Sequence, residues 1–350
     1  MEKTRTANRL RFKNGDLSKP RVISVSQEGL IKTELPDSGA SLPLIIQPGV
    51  KDLSLLSWAP MNRDFIETKV LKHGAVLFRN FALNTVEAFE ASVRAISGEI
   101  MPYHERSSPR HEVSDRIYTS TDYPSDLAIF PHNEHSYCKS LPLRLFFFCL
   151  TPAQDRGETP IGDCRKIFNR LDPVIRDRFI AKKWLYLRNF GDGFGLPWQT
   201  VFQTTEKSAA EDYCRLNDIQ FEWKKGNRLR TSQVRPVAAA HPRTGEMVWF
   251  NHATFFHITT LEPALCETLL EQFGEGNLPN NTYYGDGSPI EPSVLDHLRD
   301  TYLKEMVSFR WQQGDLLMLD NMLTAHSRAP FTGERKILFA MTDPFTRTDF

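Results

Sequence analysis

Hydrophobic positions recur at two different spacings in the first third of the chain. Between residues 64 and 73 they follow a helical pattern that stops at His73-Gly74, and the apolar residues 75–79 then predict a strand. Residues 86–96 predict an amphipathic helix, because apolar side chains recur there at helical spacing. This part of the chain is therefore expected to mix α and β structure.

The rest of the chain predicts mainly short strands with helices between them. Residues 143–150 form an aromatic-rich apolar stretch closed by Thr-Pro, as in a buried strand. Further strands are predicted at 234–240, 247–251, 316–320 and 337–342, and helices at 172–182, 208–217 and 263–273. Short strands late in the chain, with helices clustered elsewhere, favour a β-sandwich or barrel with helical additions.

Two segments interrupt this pattern. Residues 1 to about 45 are polar and broken by Pro and Asp-Ser-Gly, which predicts an irregular N-terminal arm with an early strand. The Gly- and aromatic-rich residues 191–204 predict a functional loop, and we expect a lid or insert within residues 190–235. Because no repeat or long linker divides the chain, one domain spanning residues 1–350 is expected.

Composition narrows the class of protein. The 43 Lys+Arg residues balance the 43 Asp+Glu residues, so no net charge attracts nucleic acid or anionic lipid. The longest apolar run, residues 145–150, is far shorter than the roughly 18 residues that a membrane span needs. Five scattered cysteines without a C-x-x-C pair argue against a disulfide framework, and the basic N-terminus has no apolar secretory core. A cytoplasmic protein without a membrane or nucleic-acid partner is expected.

Candidate metal chemistry begins with the ten histidines. Residues i and i+2 of a strand face the same way, so His-x-Asp or His-x-Glu can supply two metal ligands from one strand. Only His132-Asn133-Glu134 satisfies this spacing. On its own such a pair is weak, because a single histidine is more often a hydrogen-bonded structural residue than a ligand.

A second histidine strengthens the metal hypothesis. About 190 residues downstream, residues 314–321 predict a turn that leads into a strand ending near His326, and Arg335 follows nine residues later. Two histidines and one carboxylate form the facial triad of non-haem Fe(II) oxygenases, which leaves three coordination positions open. An Arg shortly after the distal His can bind a carboxylate bidentately.

Several separated motifs carry a resemblance to a known family. The segments HNEHSY, GETPIGD at 157–163 and GDLLMLDNMLTAHSRAPFTGERKILFAM at 314–341 resemble the taurine dioxygenase and clavaminate synthase-like superfamily of Fe(II)/2-oxoglutarate-dependent dioxygenases. RNFGDGFGLPWQTVFQT, HPRTGEMVWFNHATFFH and NTYYGDGSP resemble its members associated with nonribosomal peptide biosynthesis, the syringomycin-type amino-acid hydroxylases. The resemblance covers roughly residues 65–345. It implies a β-rich α+β fold, a distorted double-stranded β-helix (jelly roll, cupin-like) with helical insertions.

The resemblance assigns roles residue by residue. His132, Glu134 and His326 match the iron ligands, while Arg335 and Thr159 match the pair that binds the distal carboxylate of 2-oxoglutarate. Fe(II), 2-oxoglutarate and O₂ are the implied cofactor and co-substrates, and no separate protein acid or base is required. Related halogenases have a small residue in place of the carboxylate ligand, so Glu134 favours oxygenation.

One feature of taurine dioxygenase is missing. Its second Arg, four residues after the 2-oxoglutarate Arg, holds the substrate sulfonate, and Phe339 occupies that position here. Taurine is therefore not the expected substrate. Asn251, His252 and Arg228 are candidate substrate contacts, although core packing, a turn or a solvated basic loop explains them equally.

The implied function is hydroxylation of an unactivated C–H of an amino acid or an amino-acid-derived substrate in specialised metabolite (antibiotic) biosynthesis. The co-substrate 2-oxoglutarate is converted to succinate and CO₂. Desaturation or cyclisation by the same iron chemistry stays open, as does presentation of the substrate on a carrier protein. An alternative of another class is a zinc hydrolase using His132, Glu134 and His326, which would leave Arg335 and Thr159 without a role.

Two more alternatives are less favoured by the sequence. A nucleic-acid or histone demethylase of the same broad fold would be expected to carry a basic stripe, and the balanced charge argues against one. A non-enzymatic binding protein with a vestigial metal site would have no need for an intact triad followed by Arg335. The sequence leaves the oligomeric state open.

Overall fold

The computed structural model describes residues 29–36, 39–103, 105, 110–120, 123–191, 193 and 195–348. Most of the predicted N-terminal arm, residues 1–28, lies outside the described residues. The remainder of the arm contributes the early strand that the sequence predicts. This strand, Ile31–Glu34, pairs antiparallel with the next one, Leu44–Pro48.

The helices begin and end at residues whose chemistry explains the boundary. The second helix ends at Gly74, whose φ of +77° is a left-handed conformation that favours glycine. Thr85 caps the third helix by accepting a hydrogen bond from the Ala88 amide, and Asp172 caps the fifth in the same way. The described helices are α1 Leu55–Trp58, α2 Arg63–His73, α3 Val86–Ser97, α4 Cys164–Arg170, α5 Pro173–Lys182, α6 Trp198–Phe202, α7 Lys207–Leu216, α8 Pro263–Phe273 and α9 Pro292–Glu305.

The strands outnumber the helices, as the sequence pattern predicts. They are β1 Ile31–Glu34, β2 Leu44–Pro48, β3 Ala75–Phe78, β4 Glu112–Ser114, β5 Ile117–Thr119, β6 Ile129–His132, β7 Ser140–Thr151, β8 Asp155–Arg156, β9 Ile161–Asp163, β10 Trp184–Phe190, β11 Gln220–Lys224, β12 Arg228–Arg235, β13 Ala238–Ala240, β14 Met247–Trp249, β15 Asn280–Tyr284, β16 Met306–Val307, β17 Leu316–Asp320, β18 Thr324–Arg328, β19 Phe331–Thr332 and β20 Lys336–Thr346. The predicted β-rich α+β class is confirmed.

The largest sheet has eight strands in the order β1-β2-β3-β17-β7-β20-β5-β4. Its central strand β7 alternates buried aromatic side chains between the two faces of the sheet. Phe148 stacks on Phe89 of α3 at a centroid distance of 5.2 Å, so the helices α1–α3 cover one face. Phe147 points to the other face, where it contacts Phe339 of β20. This second face is the one that borders the candidate site.

A smaller sheet carries the candidate metal ligands. Its strands lie in the order β16-β9-β18-β6, and all of the pairs are antiparallel. The register places His326 of β18 opposite His132 of β6, with Ile161 of β9 on the other side of His326. Directly opposite residues project to the same face of a sheet, so this register brings the two histidines together.

A third sheet, in the order β11-β12-β10-β15, contains part of the segment predicted as a lid or insert. Residues 190–235 also include α6 and α7. The predicted strand 234–240 is wrong in its bounds, because β12 begins at Arg228 and Pro236 separates it from β13. Thr231, Gln233 and Arg235 point inward from β12, and a strand with polar residues on its buried face gives no hydrophobic alternation.

Two further predictions need correction. Residues 191–204, predicted as a loop, include helix α6, although Asp192 and Phe194 within that segment lie outside the described residues. The single strand expected to end near His326 is two strands, β17 and β18, joined by a tight turn. Among the described residues, none of the helices has both the length and the apolar character that crossing a bilayer requires.

Candidate metal centre

The three residues of the predicted triad converge on one point. His132 ends β6, His326 lies in the middle of β18, and Glu134 follows β6 by two residues. Candidate ligand atoms of the three side chains all lie within 4.8 Å of one another. The imidazole centroids of His132 and His326 are 4.4 Å apart. Two imidazoles and one carboxylate at this separation match the donor set of a non-haem iron site.

His132 and Glu134 do not lie on one strand, as the i/i+2 spacing predicts. Strand β6 stops at His132, and Glu134 lies in the turn that follows. His135 in this turn has a φ of +55°, so the chain leaves the extended conformation directly after the carboxylate. On a regular strand His135 would face away from Glu134, but here its Nε2 lies 3.9 Å from Oε1 of Glu134.

Glu134 is held as an anion. Its Oε1 accepts a hydrogen bond from the Tyr103 hydroxyl at 3.0 Å, and its Oε2 accepts one from Nη2 of Arg110 at 2.9 Å. Burial alone would raise the pKa of Glu134, but the positive charge of Arg110 outweighs this effect and the neighbouring histidines add to it. The result lowers the pKa to about 2. The carboxylate is therefore ionised, as a metal ligand must be.

Asn321 fixes the backbone around Glu134. Its side-chain Oδ1 accepts from the amide of Glu134 at 2.9 Å, and its Nδ2 donates to the carbonyls of Glu134 and Pro142 at 2.8 and 2.9 Å. Asn133 returns a hydrogen bond to the carbonyl of Asn321 at 2.7 Å. Since every polar atom of the Asn321 amide is used, the turn that carries Glu134 is tied to the start of the β17–β18 turn.

The two histidines have the electrostatics of metal ligands. Burial lowers the pKa of His132 and lowers that of His326 well below the usual value, so both imidazoles are neutral near neutral pH. The Nδ1 of His132 lies 2.9 Å from the carbonyl of Phe130, which orients its ring. The buried Nδ1 of His326 has no hydrogen-bond partner in the described part of the chain. Neutral imidazoles beside an ionised carboxylate fit a divalent cation.

The predicted anchor for the far carboxylate of 2-oxoglutarate is also assembled. Nη2 of Arg335 donates to Oγ1 of Thr159 at 3.3 Å, and its Nε donates to the carbonyl of Gly157 at 2.9 Å. Trp311 Nε1 donates to the same Thr159 hydroxyl at 3.1 Å. Because this oxygen accepts from two donors, its own hydrogen is available for a carboxylate. Burial, with Arg328 nearby, lowers the pKa of Arg335 to about 10, a cost that a bound carboxylate would offset.

In the segment that contains the substrate candidates Asn251 and His252, the rings of His252 and Phe255 lie beside the candidate ligand His132. The ring of Phe255 is 4.5 Å from that of His132, and the ring of His252 is 5.6 Å from it. His252 also bonds Ser136 through Nδ1 at 2.5 Å, and burial lowers its pKa well below the usual value. A neutral imidazole and an aromatic ring therefore border the centre on this side.

The other two candidate substrate residues lie in different surroundings. Asn251 donates from Nδ2 to the carbonyl of Val237 at 2.8 Å and accepts from the amide of Ala253 at 2.9 Å, so both ends of its amide hold backbone. Arg228 is exposed at the start of β12, where its side chain lies beside Gly191. The structure brings the three triad side chains together and pairs Arg335 with Thr159, and of the three substrate candidates it brings only His252 next to the triad.

Sequence reasoning missed several residues that hold the site. Tyr103 and Arg110 precede Glu134 by 31 and 24 residues, and no spacing rule connects them to it. Asn321 and Trp311 lie in or beside the downstream motif segment, but no spacing rule singles them out as site residues. For Asn321 the signal was its place directly after a predicted strand, where a side-chain amide often holds a turn.

Comparisons with known proteins agree with the geometry of the centre. Residues 39–342 match the family described as Taurine catabolism dioxygenase TauD, TfdA family. The chain is 39% identical over 279 residues to the dapdiamide synthesis protein DdaC of Enterobacter agglomerans, which covers 80% of this chain and 85% of that protein. It is 26% identical over 318 residues to a clavaminate synthase-like protein of Arabidopsis thaliana, covering 88% and 90% of the two chains.

Solved structures share the fold at lower sequence identity. PvcB of Pseudomonas aeruginosa superposes with a TM-score of 0.54 at 14% identity, covering 91% of this chain and 93% of that one. PvcB is described as an Fe, alpha-ketoglutarate dependent oxygenase from an isonitrile synthetic pathway. A taurine dioxygenase of Burkholderia xenovorans gives a TM-score of 0.51 at 16% identity and covers 92% and 93% of the two chains.

The resemblance predicted from the sequence motifs is confirmed, both for the superfamily and for its biosynthetic members. The zinc-hydrolase alternative finds no support in these comparisons. An oxidoreductase that uses Fe(II), 2-oxoglutarate and O₂ agrees with the His-Glu-His cluster as well as with the relatives. The chain belongs to the TauD/TfdA family of Fe(II)/2-oxoglutarate-dependent dioxygenases.

Proposed function

We propose that this enzyme hydroxylates an unactivated C–H of an amino acid or an amino-acid-derived substrate in specialised metabolite biosynthesis. His132, Glu134 and His326 hold the iron, and Arg335 with Thr159 binds the distal carboxylate of 2-oxoglutarate. The observation that carries the proposal is the convergence of the three ligand side chains within 4.8 Å. The match to a protein named for dapdiamide synthesis supports a role in biosynthesis.

The bound iron supplies oxidative chemistry when 2-oxoglutarate and O₂ are present, with succinate and CO₂ as co-products. The protein supplies placement and protection from water. Three protein ligands leave three coordination positions for the other reactants. The aromatic side chains of Phe147 and Phe255, 5.1 Å from the ring of His326 and 4.5 Å from that of His132, exclude water on two sides.

Arg335 and Thr159 orient the co-substrate. The guanidinium is itself oriented by the Gly157 carbonyl, and the Thr159 hydroxyl by Trp311. Gly157 has a φ of +73°, and a Cβ at this position would lie 2.8 Å from Cβ of Ala153, 3.0 Å from Cβ of Phe331 and 3.1 Å from Cδ of Arg335. Glycine therefore keeps room for the guanidinium that we assign to the co-substrate.

Glu134 supports oxygenation in preference to halogenation, since a halogenase of this family has a small residue at that position. Phe339 in place of the second Arg of taurine dioxygenase argues against recognition of a sulfonate in the same manner. Desaturation and cyclisation by the same iron chemistry remain variants of the proposal. Presentation of the substrate on a carrier protein also remains one.

A lid formed by part of residues 190–235 belongs to the proposal as well. The Tyr213 hydroxyl of α7 donates to Oε2 of Glu105 at 2.8 Å, and Nε2 of Gln203 donates to the carbonyl of Tyr103 at 2.5 Å. Tyr103 in turn contacts Glu134. The segment is thus hydrogen-bonded to residues 103 and 105, beside the Glu134 carboxylate. We also expect the double-stranded β-helix topology and a single dioxygenase domain.

A product assay tests the proposed reaction. Iron-loaded enzyme is incubated aerobically with 2-oxoglutarate and amino acids, either free or thioester-linked to a carrier protein, and succinate and substrate mass are followed. We expect iron-dependent succinate formation coupled to the gain of one oxygen atom by the substrate. Loss of two hydrogen atoms instead would indicate desaturation or cyclisation. Hydrolysis that is independent of 2-oxoglutarate would overturn the proposal.

A further inference from the structure

Arg110 is a buried cation whose hydrogen-bonding capacity is largely unused. Its side chain is 5% exposed, and Nη2 donates to Oε2 of Glu134. Its Nε and Nη1 are buried and have no hydrogen-bond partner within the described part of the chain. A guanidinium offers five N–H donors in one plane, so burial with two nitrogens unpaired is unfavourable unless another group binds there.

The single contact with Glu134 leaves both two-nitrogen edges of the guanidinium incomplete. A carboxylate binds arginine most strongly when two parallel N–H···O bonds form along one edge. Here Oε2 of Glu134 accepts from Nη2 alone, and Oε1 accepts from the Tyr103 hydroxyl. The guanidinium therefore has donors left for an additional pair of anionic oxygens beside Glu134.

Aromatic rings fix where this cation lies. The guanidinium carbon of Arg110 is 4.2 Å from the ring centroid of Phe339 and 5.0 Å from that of Tyr103. Both distances are within the range of a cation–π contact. Phe339 also contacts Phe147, whose ring is 5.1 Å from that of His326. Arg110 is thus held in a defined plane at the edge of the metal centre.

Phe339, which contacts Arg110, occupies a position that binds the substrate in taurine dioxygenase. Taurine dioxygenase has its sulfonate-binding Arg at the position that Phe339 occupies, four residues after the 2-oxoglutarate Arg. In this chain position 339 of β20 carries no positive charge. The guanidinium of Arg110, which comes from a distant segment, lies against the Phe339 ring instead.

We propose that Arg110 binds a carboxylate of the substrate and thereby selects an acidic, amino-acid-type molecule. The assignment rests on the proposed function and adds a substrate class to it. We assign the far carboxylate of 2-oxoglutarate to Arg335 and Thr159, and its near carboxylate would bind the metal. Arg110 is therefore left for a carboxylate of the substrate.

Matched pairs of probes test this assignment. The anaerobic Fe(II)·2-oxoglutarate enzyme is titrated with L-amino acids and with their primary amides, and with aspartate against asparagine and glutamate against glutamine. The readout is the perturbation of the visible metal-to-ligand charge-transfer band. We expect at least one acid to act at a concentration about 10- to 100-fold lower than its amide, as a charge-assisted hydrogen-bonded pair contributes.

Variants of Arg110 complete the test. Arg110→Gln should remove the preference for the acid, and Arg110→Lys should retain part of it because the charge remains. Arg116→Gln, on the same segment but bonded to the Ile100 carbonyl, is the matched control and should keep the full preference. Thermal unfolding of each variant establishes that it is folded before it is titrated.

Each outcome decides the assignment. It is overturned if no acid is preferred over its amide, if the preference survives in Arg110→Gln, or if that variant weakens 2-oxoglutarate binding instead. The last result would give Arg110 to the co-substrate. Failure of the wild-type charge-transfer band to form would refute the proposed function itself, and this assignment with it. A normal band without an Arg110-dependent preference would refute only the assignment.

Discussion

The hydroxyl of Thr159 accepts hydrogen bonds from two different parts of the chain, Trp311 before β17 and Arg335 before β20. At the scale of single residues, several of the side chains that we assign to the site are oriented in this way by a neighbouring group. Glu134 has Tyr103 and Arg110, and His132 has the carbonyl of Phe130. Such partners fix ligand orientation and charge before the metal or co-substrate binds.

Thr159→Val tests the role of the hydroxyl at constant side-chain shape. The variant loses the donor that we assign to the 2-oxoglutarate carboxylate, and it leaves Trp311 Nε1 without its acceptor. We expect the dissociation constant of 2-oxoglutarate to rise about tenfold, as one charge-assisted hydrogen bond contributes, with iron affinity unchanged. Thr159→Ser keeps the hydroxyl and should bind like the wild type. Equal binding by Thr159→Val and the wild type would exclude the role of the hydroxyl.

How much the sequence could predict also differs from residue to residue. The H-x-E pair, His326 and Arg335 carry a spacing and a family motif, and the structure brings the H-x-E pair and His326 together. Tyr103 and Arg110 could not be predicted, because only the folded chain brings their loop against Glu134. Pattern reasoning placed both ligands on one strand, whereas a turn stabilised by the Asn321 amide positions Glu134.

At the scale of elements, the turn between β17 and β18 sets the position of His326. Asp320 lies at its start, where Oδ1 accepts from the amides of Met322 and Leu323 at 3.0 Å. Its Oδ2 pairs with Nη1 of Arg144 at 2.5 Å and lies 3.0 Å from Nε2 of His241. Asp320, Arg144 and His241 are fully buried, so the carboxylate both caps the turn and neutralises a buried cation.

Asp320→Asn should therefore destabilise the fold strongly. Removing Asp320 from this buried ion pair leaves Arg144 with only the half-buried carboxylate of Glu67 as its partner, and we expect the free energy of unfolding to fall by about 3–5 kcal/mol. Chemical denaturation at neutral pH measures this loss. Asp296→Asn, which breaks an exposed pair with Arg299, should change the free energy by less than about 0.5 kcal/mol.

The same variant carries a pH dependence. Burial raises the pKa of Asp320, but the Arg144 charge outweighs it, so the folded pKa lies below the ordinary value. A lowered carboxyl pKa stabilises the fold above the unfolded value of about 4, and this contribution is lost as the pH falls through the folded pKa. The stability difference between wild type and Asp320→Asn should therefore shrink below about pH 4. A constant difference at all pH values would contradict the account of Asp320.

Substitution of Gly74 tests the contact between the end of α2 and Thr324 of β18. It ends α2 with a φ of +77°, and a Cβ there would lie 2.5 Å from Oγ1 of Thr324, which donates to the Gly74 carbonyl. Gly245 has a similar φ of +72° but open space around it. Gly245→Ala should cost about 1–2 kcal/mol from the backbone alone, and Gly74→Ala about 1–3 kcal/mol more from the added clash. Equal losses of unfolding free energy for the two variants in thermal unfolding would contradict this, because they would show that Thr324 of β18 can shift to make room for the added Cβ.

Element boundaries were predictable where the hydrophobic pattern is simple. Residues 263–273 and 316–320 begin and end as predicted, because their apolar spacing and flanking Pro, Gly or Asp residues agree. Strand β12 was misplaced because its inward residues Thr231, Gln233 and Arg235 are polar and bond to partners such as the Tyr137 carbonyl. A strand stabilised by side-chain hydrogen bonds has no signal in hydrophobic periodicity.

At the scale of the whole molecule, the metal centre lies where two sheets meet. The small sheet supplies His132 and His326, while the large sheet supplies Phe147 and Phe339. Neither face could be assigned from the sequence, since strand order depends on pairings between distant segments such as β17 with β3 and β7. The family resemblance, and not the local hydrophobic pattern, implied a fold in which these distant segments meet.

Anaerobic titration of 2-oxoglutarate into the Fe(II) enzyme tests the central claim most directly. We predict a weak visible charge-transfer band that is absent in His132→Ala, while Arg335→Ala raises the dissociation constant of 2-oxoglutarate by at least about tenfold. His297→Ala, which changes a residue outside the site, should titrate like the wild type. Absence of the band in a folded wild-type protein that binds zinc tightly would contradict the account and favour the hydrolase alternative.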